Sequence, residues 1–315
     1  MDKIIFFHMN QLGDMMFSLP VLEAARREWP DTKLASYIRK DLMPILEATG
    51  FVNQLIEKEE KGFFEKVGVI SQLRKEKYSK AVLFSESPIS LLLSFLSDIP
   101  ERIGFKTASL KMLLTSKAEK FGVPSLSNNL KLGIKVGLKE IKENYVNLIK
   151  IPKNIIDKVE IWIQENKIEK SRLVIISPGT SKRRKEKSWQ KEKWTKLINL
   201  LVDRKYCPVL IGSPSEKDQL SKLIEKNDEK VGLFTDFGIL SLAGIISKAK
   251  LFIGVDSGPM HLAASLRIPV IALFGSTDPN QVGPQPLESH TVVKQSNMSE
   301  IEVDEVWQKF LEKYD

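Results

Sequence analysis

The sequence predicts two doubly wound α/β domains facing a central cleft. Short β-branched runs alternate with amphipathic helical stretches, the alternation occurs once in each half of the chain, and turn residues sit where strands give way to helices. The 315 residues suffice for two domains that each bury a core.

In the first half, Lys3 to Phe7 reads as a buried strand, and a turn at Gly13-Asp14 leads to a helix over Phe17 to Arg27. Lys33 to Ile38, Asn53 to Glu57 and Lys80 to Phe84 read as further strands with helices between them. An irregular polar stretch covers 117–129, followed by helices near Lys139 to Ile149 and Asn154 to Asn166. The second half repeats the pattern. Its expected strands are Leu173 to Ser177, Pro208 to Gly212, Val231 to Phe234, Leu251 to Gly254 and Pro269 to Phe274. Helices Lys191 to Asp203, Ser215 to Lys226, Leu240 to Lys248 and Gly258 to Leu266 separate them, and Trp307 to Lys313 closes the chain. The expected domains are 1–152 and 153–300, with 301–315 packing back on the N-terminal domain.

Charge and composition narrow the function. Lys plus Arg number 48 against 40 Asp plus Glu, a net +8, and hydrophobic residues make up 42% of the chain. This composition excludes disordered and disulfide-stapled classes. The single Cys207 cannot form an internal disulfide, which suits a reducing, cytoplasmic compartment. The opening MDKIIFF lacks the regions of a signal peptide, and the apolar run Ile89 to Leu96 is too short to span a bilayer. One cysteine and three histidines leave little for a zinc site. Seven of the basic residues lie in Ser181 to Trp194. No zinc-finger spacing, RNP-like strand or basic-zipper pattern accompanies them, so a nucleic-acid module is the weakest reading.

Four strand-end segments carry candidate chemistry. Gly254-Val-Asp-Ser-Gly-Pro-Met-His261 places a helix N-terminus after a strand, where the amides of Ser257 to Met260 suit a diphosphate. Pro259 fits the first helical position, and His261 could add a proton or a hydrogen bond. The plain alternative is that Asp256 or Ser257 caps the helix and His261 packs. Asp14 is placed for a general base or an N-cap. The loop from Ser177-Pro-Gly-Thr180 through Lys187-Ser-Trp189 offers a lysine to a departing diphosphate, or is a solvated basic surface. Glu216 in Gly212-Ser-Pro-Ser-Glu216 suits ribose hydroxyls or the helix dipole. The chain has no Walker motif, GxGxxG, GxSxG or Asp-x-Asp pair, which favours phosphates held by amides and basic side chains over a metal.

These residues resemble a known family. Gly13-Asp14, Phe17-Ser-Leu-Pro20, Glu23-Ala-Ala-Arg-Arg27 and Trp29-Pro30 look like the opening of the ADP-heptose:lipopolysaccharide heptosyltransferases, glycosyltransferase family 9. Ile253 to Ala264 and Phe274-Gly-Ser-Thr-Asp-Pro279 are similar to the family's most diagnostic stretch. Arg102-Ile-Gly-Phe105, Pro178-Gly179, Lys187-Ser-Trp189 and Trp194 also have counterparts, so the resemblance covers nearly the whole chain in order. It implies a GT-B fold of two Rossmann-like domains and metal-independent, inverting transfer of heptose from ADP-heptose to the lipopolysaccharide inner core or a related lipid-linked glycan. Asp14 would then be the general base and Lys187 the diphosphate contact, with Lys182 and Lys185 as alternatives. Glu216 would hold the ribose, Asp256 the donor sugar, and Thr180, Ser257, Gly258, Pro259 and His261 the rest of the donor, with Phe237 walling the adenine pocket. The implied partners are a nucleotide-sugar donor, with no separate cofactor, and an anionic lipid-linked acceptor met peripherally at the cytoplasmic face of the inner membrane. Nucleic acid is not among them. A GT-B epimerase or hydrolase acting on nucleotide sugars is the rival enzyme. One departure from the family is His8-Met-Asn-Gln11, where many relatives carry a basic residue near His8; another is the longer basic loop from Ser181 to Glu186.

Overall fold

The computed structural model describes residues 2–58, 62–179, 184–224 and 230–314. The chain divides into two compact units, Met1–Leu148 and Ile149–Asp315.

The first unit contains strands β1 (Lys3–Phe7), β2 (Lys33–Ile38), β3 (Gln54–Glu57), β4 (Lys80–Leu83), β5 (Glu101–Phe105) and β6 (Ser116–Ala118). Its helices are α1 (Leu12–Met16), α2 (Leu19–Glu28), α3 (Met43–Glu47), α4 (Phe63–Glu76), α5 (Pro88–Leu96) and α6 (Leu126–Val136). The strands form one parallel sheet in the order β3-β2-β1-β4-β5-β6. The two central strands are apolar almost throughout, as a sheet covered on both faces requires. The strand order reverses between β1 and β4, the switch point where doubly wound sheets bind ligands beyond the strand ends.

The second unit repeats this topology. Helix α7 (Lys153–Glu165) leads into strands β7 (Leu173–Ser177), β8 (Cys207–Ile211), β9 (Gly232–Phe234), β10 (Leu251–Val255), β11 (Val270–Phe274) and β12 (Thr291–Lys294). The helices between and after them are α8 (Lys191–Asp203), α9 (Lys217–Ile224), α10 (Ile239–Ile246), α11 (Gly258–Ser265), α12 (Pro279–Val282) and α13 (Val303–Tyr314). The parallel order β12-β11-β10-β7-β8-β9 puts the switch point between β7 and β10, and every residue of β7, β10 and β11 is buried.

Three expectations are corrected. Helix α13 packs on α8, β11 and β12, and its Val306 and Phe310 belong to the core of the second unit. Its apolar face is therefore occupied within that unit, where the sequence had sent it to the first. The helix expected near Lys139 to Ile149 is absent, and α6 starts instead at Leu126, within the end of the stretch expected to be irregular. Gly137, at φ +107°, ends α6 in the left-handed region that glycine tolerates. The turn expected at Gly13-Asp14 is instead the short helix α1, and the helix expected over Phe17 to Arg27 begins at Leu19 as α2, with Pro20 in its first turn.

Candidate active site

In a parallel sheet all carboxyl ends share one edge, and most of the candidate residues of the second unit follow those ends. Lys187 lies in the connection after β7, Glu216 after β8, Phe237 after β9 and Asp256 directly after β10. The sequence placed these residues in separate motifs, and the sheet gathers them.

The centre of this edge is Asp256. Its Oδ2 accepts the Lys187 ammonium at 2.5 Å and the Thr277 hydroxyl at 2.8 Å. The two charged side chains are 14% and 6% exposed, so water screens the pair only weakly. Thr277 was quoted within a motif but given no role. Its position after β11 was the signal that could have found it.

Ser257 next to Asp256 is extended and N-caps α11, with Gly258 and Pro259 as the first two helical residues. Pro259 is therefore second rather than first in the helix. Ser257 thus holds the N-cap position without a side-chain cap bond, and Asp256 does not cap, its carboxylate being engaged by Lys187 and Thr277. The Ser257 hydroxyl oxygen is buried without a hydrogen-bond partner among the described residues. A buried orphan hydroxyl at a helix N-terminus is an arrangement that a ligand oxygen would complete.

His261 is buried one turn into α11, and desolvation pushes its pKa down to about 4 against the opposing pull of the Asp256 carboxylate. The ring is neutral at pH 7. A neutral ring can still donate or accept a hydrogen bond.

Glu216 closes a capping box in which its Oε2 accepts the Ser213 amide at 2.8 Å and the Ser213 hydroxyl at 2.6 Å. Its other oxygen, Oε1, lies only 2.6 Å from where a Cβ on Gly179 would stand. Gly179 is what allows this carboxylate to sit against the loop after β7. Phe237 is 44% exposed and stacks on Phe234 with ring centres 3.9 Å apart, with Trp162 edge-on to both. The result is an aromatic shelf with one open face. Thr180 and Lys182 lie outside the described residues. Lys185 is exposed and enters no ion pair among the described residues, so of the two described loop lysines it is Lys187 that meets the Asp256 cluster.

Asp14 belongs to the first unit. It is the third residue of α1, half-buried, and the N-cap position belongs to Gln11, so the N-cap reading of Asp14 is corrected. Behind α1 lies a buried polar chain that the sequence did not suggest. Ser18 Oγ donates to the Met15 carbonyl at 2.6 Å, so its oxygen receives the Nδ1 proton of His8 at 3.1 Å. Nε2 of His8 then accepts the Ser36 hydroxyl at 3.0 Å. Burial, with the Lys58 ammonium second, pushes the His8 pKa down to about 3, which keeps the ring neutral. Lys58 donates to the His8 carbonyl at 3.3 Å and so brings a cation to the end of β1.

The structure resembles solved glycosyltransferases over its full length. The glycosyl transferase family 9 protein from Veillonella parvula matches with a TM-score of 0.88 at 18% identity, covering 99% of this chain and 96% of that one. E. coli ADP-heptose lps heptosyltransferase II matches at 0.81 and 19%, covering 98% of each. UDP-GlcNAc 2-epimerase from Methanocaldococcus jannaschii, which shares the two-domain architecture, matches at 0.57 and 12%, covering 98% and 91%. The architecture is that of the GT-B class, two Rossmann-type units each built on a six-stranded parallel sheet. Within that class the chain belongs to glycosyltransferase family 9 (heptosyltransferase), whose sequence profile matches residues 67–310. Among characterised relatives, lipopolysaccharide heptosyltransferase 3 of E. coli K12 is 28% identical over 285 residues, 86% of this chain and 81% of that protein.

Proposed function

We propose that this family 9 glycosyltransferase transfers a heptose from ADP-heptose to a lipid-linked lipopolysaccharide-core acceptor, by metal-independent inverting displacement. The observation that carries the donor half is the Lys187–Asp256–Thr277 cluster beside the orphan Ser257 hydroxyl and the α11 N-terminus. That combination offers a cation, hydroxyl donors and the positive end of a helix to a diphosphate. The aromatic shelf at Phe237 suits a purine face, and Glu216 suits ribose hydroxyls. Further support comes from relatives: E. coli heptosyltransferase WaaC, solved with ADP-2-deoxy-2-fluoro heptose, matches with a TM-score of 0.77 at 19% identity, covering 98% of this chain and 99% of that one.

In the proposed reaction an acceptor oxygen attacks the anomeric carbon as the bond from that carbon to the diphosphate breaks. Asp14 takes the acceptor's hydroxyl proton, which is worth roughly 10²–10⁴-fold. Lys187 and the positive N-terminus of α11 receive the negative charge of the departing ADP. In this scheme Asp256 orients Lys187 until the donor arrives.

A thermal-shift panel tests the donor. ADP and ADP-heptose should stabilise the protein, by about 2.7 kcal/mol at a hundredfold excess over Kd. Stabilisation by UDP- or GDP-sugars with none by ADP would overturn the assignment. Rapid breakdown or epimerisation of the donor without an acceptor would instead favour the epimerase or hydrolase reading.

A further inference from the structure

Helix α5 is inverted. Its sequence PISLLLSFL carries no charge, and Ile89, Leu92, Phe95 and Leu96 are all 41–44% exposed. Their spacing of three, six and seven residues puts them on one face. The opposite face buries Ser90, Ser94 and, one residue past the helix, Ser97 along with Leu91 and Leu93; the hydroxyls of Ser90 and Ser97 have no partner among the described residues. A helix folding only for its own core would turn the large apolar side chains inward. No other helix exposes four of them among the described residues.

The charges left unpaired around this face are of one sign. The neighbouring carboxylates are all neutralised within the first unit: Asp98 by Arg74 at 2.9 Å, Glu101 by Lys80 at 3.0 Å, and Glu86 by Lys120. Two cations remain. The Arg102 guanidinium lies 5.4 Å from the Phe95 ring centre and donates to the carbonyl of Leu113. Lys111 stands in the turn Lys111–Leu113, which packs on α5 and exposes 80% of Met112. Among the described residues Lys111 pairs with no carboxylate.

We propose that the exposed face of α5, with Met112, Arg102 and Lys111, docks this enzyme on an anionic lipid bilayer. An apolar face rimmed by cations matches acyl chains below phosphate headgroups. A second copy of the chain fits poorly, because a two-fold contact would set the same cationic rim against itself. The inference deepens the proposed function, resting on its reading that the acceptor is lipid-linked.

Flotation with vesicles tests it on the full-length protein. The protein should float with equimolar phosphatidylethanolamine–phosphatidylglycerol vesicles, and should be left behind by phosphatidylcholine alone or at high salt. Leu92→Glu should weaken partitioning about tenfold or more, and Lys111→Glu on the order of tenfold. Both side chains are exposed, so melting temperature should hold. Leu92→Trp provides a second readout, since its emission should shift to the blue on adding the anionic vesicles. Failure of the wild type to float, undiminished binding by Leu92→Glu, or an unshifted Leu92→Trp spectrum would overturn the proposal. So would a wild-type dimer that Leu92→Glu splits without changing flotation. Transfer to a delipidated, soluble acceptor is measured in parallel and should survive both Glu variants, so loss of docking and failure of the transferase reading are told apart.

Discussion

Lys187 and Asp256 form a close ion pair, 2.5 Å between ammonium and carboxylate, that ties the connection after β7 to the end of β10. Neither charge is well solvated, so removing one strands the other. Lys187→Met and Asp256→Asn should each cost on the order of 3 kcal/mol in urea unfolding, while the double variant should recover much of that loss. Strictly additive single effects would show that the pair is not coupled. In the proposed reaction Lys187→Met should also lower kcat about 10²–10³-fold, because the leaving diphosphate loses its cation.

The orphan hydroxyl of Ser257 separates ligand binding from stability. It has no partner among the described residues, so Ser257→Ala removes a buried polar atom that does nothing for the unliganded fold. The melting temperature should stay level or rise slightly. Affinity for ADP, read by calorimetry, should fall roughly tenfold if that hydroxyl meets the diphosphate. A loss of stability with unchanged ADP affinity would assign Ser257 to the fold instead.

Gly179 should be intolerant of even one methyl group in the proposed nucleotide site. A Cβ there would stand 2.6 Å from Glu216 Oε1, and the carboxylate is held by Ser213 through its other oxygen. Gly179→Ala should therefore push Glu216 out of its capping box with little change in melting temperature, and weaken nucleotide binding several-fold. Equal ADP affinity in the variant and the wild type would remove Glu216 from the donor site.

The strands of both sheets were legible where apolar runs are continuous, as in β1, β2 and β7, because a sheet covered on both faces writes that signal directly. Helix α6 was hidden because its first turns carry Asn128 and Asn129, which locally favour loops. Asn128 is in fact buried, and its amide binds the carbonyls of Phe121 and Val123 while its oxygen takes the Phe121 amide. Only the folded chain supplies those partners. The segment after it misled in the opposite direction: Tyr145 and Leu148 have helical spacing, yet Tyr145 is buried against Phe17 and Asn147 takes φ +58°. Of the site, the sequence offered the motifs at the strand ends. It could not show that Lys187, Thr277 and Asp256 converge, since 69 residues separate Lys187 from Asp256.

Asp14 should be needed for transfer and dispensable for the donor. It is carried on the first unit, whereas the Asp256 cluster belongs wholly to the second. Asp14→Asn preserves shape and removes the base, so turnover should drop about 10²–10⁴-fold while the thermal shift produced by ADP stays the same. A variant with full turnover would disprove the role of Asp14 as the base.

Acid should destabilise this protein well before its carboxylates titrate, through histidines held neutral by burial. The folded-state pKa is about 3 for His8 and about 4 for His261, and burial lowers that of His290 as well. The unfolded chain takes up these protons near pH 6.5, whereas the folded chain does not. Their contribution is therefore complete above pH 6.5 and is lost as the pH falls towards each folded value. At pH 5 the loss is about 2 kcal/mol each for His8 and His261. Urea midpoints should accordingly drop between pH 7.5 and pH 5. His8→Gln should start from a lower midpoint, since it breaks the chain to Ser18 and Ser36, yet show a shallower fall with pH by about 2 kcal/mol. A pH dependence as steep as that of the wild type would mean that the His8 ring takes up its proton in the folded protein as readily as in the unfolded chain, against its full burial.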